Sequence, residues 1–502
     1  MRQMGEARGE HGRHYNFIGG EWVAPTTGEY TPNLNPADTS EVVGHYPRSG
    51  KKDAEDAIAA AAAAFAGWSG TPGPTRGRVL WRAADLMRAR IDALALMMCR
   101  EEGKTVAECK GEVLKGIALF EFYAGEGFRQ HGKTLPSELK QTLTFTLRQP
   151  LGVVALITPW NFPFAIPVWK CAPALVTGNT VVMKPASNTP GTVTLLAEIL
   201  EEAGLPPGVF NLVSGPGGAV GNALVDSPAV KVVSFTGSNE IGMALNERCA
   251  KRGIKVTCEM GGKNPVVVLA DADLKLAVSG ILAGAFGSTG QRCTATSRVV
   301  VQKGVAREVI EALVAGAKAL KVGNGQHAGI DMGPAVDASQ LQTDVDYVKI
   351  AQDEGATLRV GGERLTGAAY DRGFFVSPGV VTGVTPKMRI HQEEVFGPLI
   401  AVSEVGDFEE ALAFANDVQF GLSASIYTRD ANLAMKFVER AEVGMVHVNN
   451  PTVGGEAQLP FGGWKSTGIG EREMAEEGAQ FFTQLKTVWF DYTGEPRTSK
   501  IF

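Results

Sequence analysis

Cysteine is scarce and scattered. Six cysteines (Cys99, Cys109, Cys171, Cys249, Cys258 and Cys293) stand in 502 residues, without the paired spacing of a metal site or the density of a disulfide scaffold, so reduced thiols and no metal are expected. Charge of one sign is also missing. The formal net charge is −6, and no basic stripe or block of like charges offers a nucleic acid anything to hold. An apolar-rich stretch of nineteen uncharged residues from Leu151 to Trp169 is interrupted by Pro159, Asn161, Pro163 and Pro167, so a helix spanning a membrane is not expected. The opening MRQMGEARGEHGRH lacks the apolar core of a secretory signal, which points to a cytoplasmic protein with a frayed start.

What is present suits a large α/β protein. The chain is long enough for two or three domains, and its 61 glycines and 26 prolines imply many tight turns. Residues 53–130 carry alanine-rich and helically spaced apolar runs and are expected to be mainly helical. Between 151 and 260 the pattern is strand, turn, helix, repeated, with strands at 153–158, 179–185, 210–215 and 230–237 and a helix at 192–204. A second αβ series follows Gly261, with strands at 266–270 and 298–302 and helices near 275–287 and 305–320. Two doubly wound parallel sheets are therefore expected, with the changeover near 261. Two lone alternating segments, 142–149 and the one holding Val488, Phe490 and Tyr492, have no hairpin partner nearby; each is expected to pair with a distant strand or another subunit.

Several residues could carry chemistry, though each also has an ordinary reading. In VVSFTGSNEIG a strand turns at Gly237 into a helix entered through Ser238, whose exposed N–H groups and dipole would suit a phosphate. Glycine-capped strand–helix turns are also common as plain structure. Cys293 lies in GSTGQRCTATSR, a small-residue loop expected at the carboxyl edge of a sheet, where loops often carry function. An arbitrary cysteine is more often an inert buried thiol. Glu259 ends the strand KVTCE before two glycines, and Asn161, held between prolines in TPWNFP, could aim its amide at an oxyanion. A solvated glutamate and a turn-forming asparagine are the competing accounts.

In order along the chain, PWNFP (159–163), KPASNTP (184–190), FTGSNEIG (235–242), EMGGKNP (259–265), GQRCTA (290–295), EEVFGP (393–398) and LPFGGWKSTGIG (459–470) resemble the motifs of the aldehyde dehydrogenase superfamily. The likeness runs from FIGGEW (17–22) to KTVWF (486–490). It implies an NAD(P)-binding domain at 1–132 and 151–261, a catalytic domain at 262–482, and a small β arm at 133–150 and 483–502 through which subunits form a homodimer or homotetramer. It makes Cys293 the nucleophile, Glu259 the general base and Asn161 an oxyanion donor. Lys184, Ser187, Trp160, Gly237, Ser238, Glu394 and Phe396 match the cofactor site, while Phe162, Trp169 and Phe461 match the substrate tunnel.

Within the superfamily the chain is most similar to dehydrogenases of 2-oxoglutarate semialdehyde (2,5-dioxopentanoate), and Arg292 beside the nucleophile could bind a carboxylate. Succinate semialdehyde, other aliphatic or aromatic aldehydes and non-phosphorylating oxidation of glyceraldehyde 3-phosphate stay open. A CoA-acylating enzyme is disfavoured by Glu259, and a silent structural protein by the full set of motifs. Ser187 stands where NAD-specific relatives often carry glutamate, so NADP is expected to be accepted beside NAD, with no arginine evident nearby to strengthen the preference. One departure concerns Gly470, Glu471, Arg472 and Glu473, where the family often reads G-R-E; the one-residue displacement puts a proton-relay role for that glutamate in doubt.

Overall fold

The computed structural model describes Gly5, Gly9 and residues 12–496. Most of the opening segment, and the part of the arm expected at 497–502, lie outside these residues. Alanine-rich and amphipathic stretches form four helices, Lys51–Gly70, Gly73–Ala89, Ile91–Glu102 and Val106–Glu126, close to the expected span. The fourth begins at a capping box, in which Thr105 accepts from Glu108 N–H and Glu108 answers to the Thr105 backbone. The last three of these helices, with Ala165–Val176 and Pro190–Glu202, bury one face of an eight-stranded sheet, while the first covers the opposite face through Ala54, Ala57, Ile58 and Ala61.

The central five strands of that sheet are parallel, in the spatial order 210–212, 180–184, 153–157, 230–236 and 255–259. Short antiparallel strands flank them: Asn16–Ile18 with Glu21–Val23 on one side, Gly468–Ile469 on the other. The winding reverses between Val153–Ile157 and Val230–Thr236, and such a reversal opens a crevice at the carboxyl ends of its two strands. The apolar run from Leu151 is divided as its prolines require: strand Val153–Ile157, an irregular turn, then a helix from Ala165. Among the described residues no helix is long and apolar enough to cross a membrane.

The second sheet has seven strands in the order 357–360, 379–382, 399–405, 296–302, 264–268, 423–427 and 445–448, parallel except at the 357–360 edge. The two lone alternating segments find each other. Thr142–Pro150 and Thr483–Asp491 pair antiparallel over their whole length, with Phe145 opposite Val488, and Thr134–Leu135 adds a third strand. Leu485, Trp489, Phe490 and Tyr492 stay exposed on this arm.

Cys293 precedes strand Thr296–Gln302 and therefore stands at the amino edge of the second sheet, not the carboxyl edge expected from sequence. It faces the carboxyl edge of the first sheet across a narrow gap. The turn leading to it is backbone-strained: Ser288, Thr289 and Gly290 have φ of 49°, 58° and 69°. Ser288 N–H is held by Glu108 Oε1 at 2.6 Å, and the Thr289 hydroxyl donates to Gly333 O at 3.1 Å. A Cβ on Gly290 would lie 2.3 Å from Gly397 O. Gly290→Ala should therefore cost more than about 1 kcal/mol, since both φ and space exclude the methyl; a thermal midpoint equal to that of the parent would show that the turn relaxes freely.

Candidate active site

Cys293 is the meeting point of two cavities. The first, about 180 Å³, lies at the winding reversal and is lined by Pro159, Trp160, Asn161, Thr236, Gly237, Ser238, Glu394 and Phe396, with Cys293 at its end. The second, about 300 Å³, runs away from the sulfur between Phe162, Trp169 and Phe461, with Arg292 and Lys115 in its wall. The remaining five cysteines are buried. Sequence reasoning named all of these lining residues as site candidates except Pro159 and Thr236, which lie inside recognised motifs, and Lys115, which lies in the middle of a helix with no local motif to mark it.

The first cavity fits a nicotinamide dinucleotide. Gly237 ends its strand where a Cβ would lie 2.4 Å from the Phe235 ring, so bare backbone is required there. Ser238 then caps helix Asn239–Arg252, whose first N–H groups have no partners within the helix. The Thr236 hydroxyl is buried without a protein partner at the mouth of this turn. Trp160 and Phe396 face each other edge-on, ring centroids 5.5 Å apart, and Phe396 holds a φ of 63° to do so. Glu394 accepts Gly262 N–H at 2.7 Å, and burial pushes its carboxyl up to about 7.

Lys184 ends its strand with the ammonium turned to Pro185 O at 2.7 Å, and burial lowers its pKa to about 8. Ser187 lines a separate cavity of about 190 Å³ with Thr31, Tyr46, Arg48, Ser214 and Gly215. An arginine is thus near Ser187 after all. Arg48 is distant in sequence and arrives through the strand Asp38–Pro47, which no sequence signal tied to KPAS. Its guanidinium pairs with Glu29 at 3.1 Å, an exposed contact that contributes little.

Asn161 is positioned by a buried charge. Lys104 Nζ donates to Asn161 O at 2.6 Å and to Glu112 Oε2 at 2.8 Å, and it lies 4.1 Å from the Phe162 ring centroid. Glu112 Oε1 in turn accepts the Phe164 and Ala165 N–H groups that begin the next helix. The Asn161 amide donates one hydrogen to Gln291 O at 3.1 Å, leaving its second for the cavity beside Cys293.

Glu259 ends its strand as expected but lines neither cavity. Its carboxylate lies behind them, with Oε2 unpartnered and Oε1 in space left by Gly462 and Gly468. Burial, and then Glu473, raise its pKa well above the ordinary carboxylate range, opposed by Lys170 and Arg472. Register decides which glutamate of the shifted segment lies inside. Phe461 and Glu473 exchange both backbone hydrogen bonds, which fixes Glu473 inside while Glu471 pairs with Lys255 at the surface. Glu473 accepts from Trp169 Nε1 at 2.8 Å, from Ser234 at 2.9 Å and from Lys170.

Two chambers meeting at one thiol, one at the dinucleotide-type crevice and one walled by aromatic rings and two cations, are the arrangement of a nicotinamide-dependent oxidoreductase. The chain belongs to the aldehyde dehydrogenase family, whose model matches residues 22–488, and it is an NAD(P)-dependent aldehyde dehydrogenase. It is 46% identical over 480 residues to the alpha-ketoglutaric semialdehyde dehydrogenase of Bacillus subtilis, covering 96% of this chain and 98% of that one. The 2,5-dioxopentanoate dehydrogenase of Saccharolobus solfataricus is 42% identical, with 95% and 99% covered. Betaine aldehyde dehydrogenase from Staphylococcus aureus, solved with NAD+, superposes with a TM-score of 0.94 at 35% identity, covering 97% and 96% of the two chains.

Burial first, then Glu394 and Glu259, push the Cys293 thiol up to about 12, against Lys115 and the Thr294 N–H. A raised thiol pKa means little thiolate at neutral pH and a steady gain as pH rises. Alkylation of the free enzyme by iodoacetamide should therefore accelerate close to tenfold per pH unit from 7 to 9. A rate that levels off below pH 8 would contradict this environment.

Proposed function

We propose that Cys293 attacks the aldehyde carbon, Asn161 stabilises the resulting oxyanion, and Glu259 serves as the base. The observation that carries this reading is the place of Cys293 on the walls of both cavities, so that its sulfur reaches a substrate from one side while a cofactor lies on the other. A nicotinamide bound in the cleft supplies the hydride acceptor. Cys293 gives its thiol proton to solvent water and attacks as the thiolate; as the carbon–sulfur bond forms, the carbonyl oxygen takes the negative charge beside the Asn161 amide, a donor worth about 3–4 kcal/mol in comparable sites. Loss of hydride from that carbon leaves a thioester on Cys293. Glu259, whose raised pKa makes it a stronger proton acceptor than an ordinary carboxylate, draws a proton from water, and the thioester is cleaved to acid and thiol. For this the Glu259 side chain turns from its place behind the cavities towards the sulfur.

The substrate we propose is a semialdehyde acid, 2-oxoglutarate semialdehyde foremost, since relatives named for it share over two-fifths of this sequence and positive charge lies in the tunnel wall. Residues 1–132 and 151–261 form the cofactor-binding domain in this reading, 262–482 the catalytic domain, and the arm at 133–150 and 483–502, with Leu485, Trp489 and Phe490 exposed, a contact between subunits of a cytoplasmic homo-oligomer. Glu259→Gln should release about one equivalent of reduced cofactor per site and then turn over slowly, because acylation survives while hydrolysis does not. Cys293→Ala should give neither phase. A Gln variant with parental steady-state rate would remove Glu259 from the base role.

NADP should be used as well as NAD, because Ser187 adds no carboxylate to repel the 2′-phosphate and Arg48 lies in the same cavity to receive it. Arg48→Gln should lower kcat/KM for NADP about tenfold relative to NAD. Equal kcat/KM losses with both cofactors would place Arg48 outside the phosphate pocket.

A further inference from the structure

Two cations border the tunnel, and they differ in what they already hold. Arg292 is engaged: Nε and Nη2 donate to Ser288 Oγ at 3.1 and 2.9 Å, Nη2 lies 3.7 Å from Glu108 Oε1, and the guanidinium carbon is 5.7 Å from the Phe162 ring centroid. Ser288 is one of the left-handed residues of the turn before Cys293, so this arginine braces the turn. Lys115 is not so engaged. Its ammonium lies 5.2 Å from the Trp169 ring centroid, and among the described residues no carboxylate oxygen lies within 4 Å of it.

The surroundings of Lys115 leave room for an anion. It rises from helix Val106–Glu126 into the cavity wall opposite Gly454 and Gly455. A Cβ on Gly455, where φ is 153°, would approach Lys115 Nζ to 3.3 Å, so the glycine keeps the approach to the ammonium open. Trp169 and Phe461, 5.2 Å apart at their centroids, provide an apolar path between this end and the sulfur. An extended acid with an aldehyde at one end would lay its carbon chain along those rings.

We infer that Lys115 is the receptor for the substrate's carboxylate, with Arg292 acting as a brace for the loop rather than as the contact. This rests on the semialdehyde-acid reading above. A half-buried ammonium over an indole ring, lacking a protein counter-ion, pairs with a carboxylate at little desolvation cost, since most of its water is already gone. The charged groups facing it are Cys293 and Glu112, which favour its protonated form, and Arg292, which opposes it. Burial outweighs them and lowers its pKa to about 8.

The sign follows. Lys115 is charged below about pH 8 and loses its charge above it, so preference for an acid substrate should be full at pH 7 and fade as pH rises through 8. The test compares kcat/KM for succinate semialdehyde with that for butanal, which has the same carbon chain without the carboxylate; rising thiolate affects both and cancels in the ratio. In the parent enzyme this ratio should be high at pH 7 and fall above pH 8. Lys115→Met should lower it by about 10- to 100-fold, as loss of a charge-assisted hydrogen bond does, and Lys115→Arg should restore most of it and move the fall to higher pH.

A parental ratio near one at pH 7 would overturn the acid-substrate reading, and this inference with it. A high parental ratio kept in Lys115→Met but lost in Arg292→Met would leave that reading standing and assign the receptor to Arg292. Equal losses on both aldehydes in Lys115→Met, with no restoration by arginine, would overturn the inference and place Lys115 in support of the thiol.

Discussion

Between Glu259 and Asn264 the chain leaves the last long parallel strand of one sheet and enters the next sheet, through Gly261 and Gly262. A Cβ on Gly261 would lie 2.2 Å from Glu394 Oε2, and one on Gly262 2.5 Å from Cys293 O. Bare backbone at both positions is what lets Glu394, Cys293 and the crossing share one narrow gap. Asn264 fastens the far side, its amide donating to Cys293 O and Ala295 O at 2.8 and 2.9 Å. The carboxyl edge of one sheet thereby meets the amino edge of the other, and residues from both converge on one sulfur.

Buried charge gives this gap its shape. Removing Lys104 and Glu112 from water costs several kcal/mol each, so their pairing is weak evidence of stability. Its consequence is geometric: one ion pair holds the Asn161 carbonyl, the Phe162 ring and the start of the helix carrying Trp169. The Lys170–Glu473 pair acts similarly, because Glu473 also holds the Trp169 indole N–H and the Ser234 hydroxyl. Trp169 is thus fixed through its polar edge while its ring face borders the tunnel, the amphipathic use to which indole is suited. Breaking either pair leaves an uncompensated charge beside the chemistry, which is why such groups support positioning more than folding energy.

How much of this could be read from the chain follows from the range of each interaction. The strand–turn–helix rhythm of 151–260 and the helical first quarter are local patterns, and the structure reproduces them. The lone strands at 142–150 and 483–491 were visible by alternation, but their mutual pairing spans over three hundred residues and leaves no local mark. Cys293 was legible as a residue and misplaced as to sheet edge, since a loop before a strand and one after it look alike in composition. Glu473 could not be placed by counting from Gly470; the pairing with Phe461 sets its register. Arg48 and Lys115 were invisible for the same reason, each reaching its cavity through tertiary structure from a segment without a motif.

The electrostatics of the two chambers bear on each other. Burial favours neutral forms throughout: it raises the Cys293 thiol and the Glu259 and Glu394 carboxyls and lowers Lys115 and Lys184. Lys115 is one of two influences that favour the Cys293 thiolate, the other being the Thr294 N–H. On the proposed reading, a carboxylate that binds Lys115 neutralises the charge that had favoured thiolate. An acid substrate would then gain binding at the tunnel end while weakening the electrostatic help at the sulfur. Hydrolysis of the thioester does not share this cost. Glu259, the base for the attacking water, owes its raised pKa to burial and Glu473, opposed by Lys170 and Arg472, and Lys115 is not among those influences.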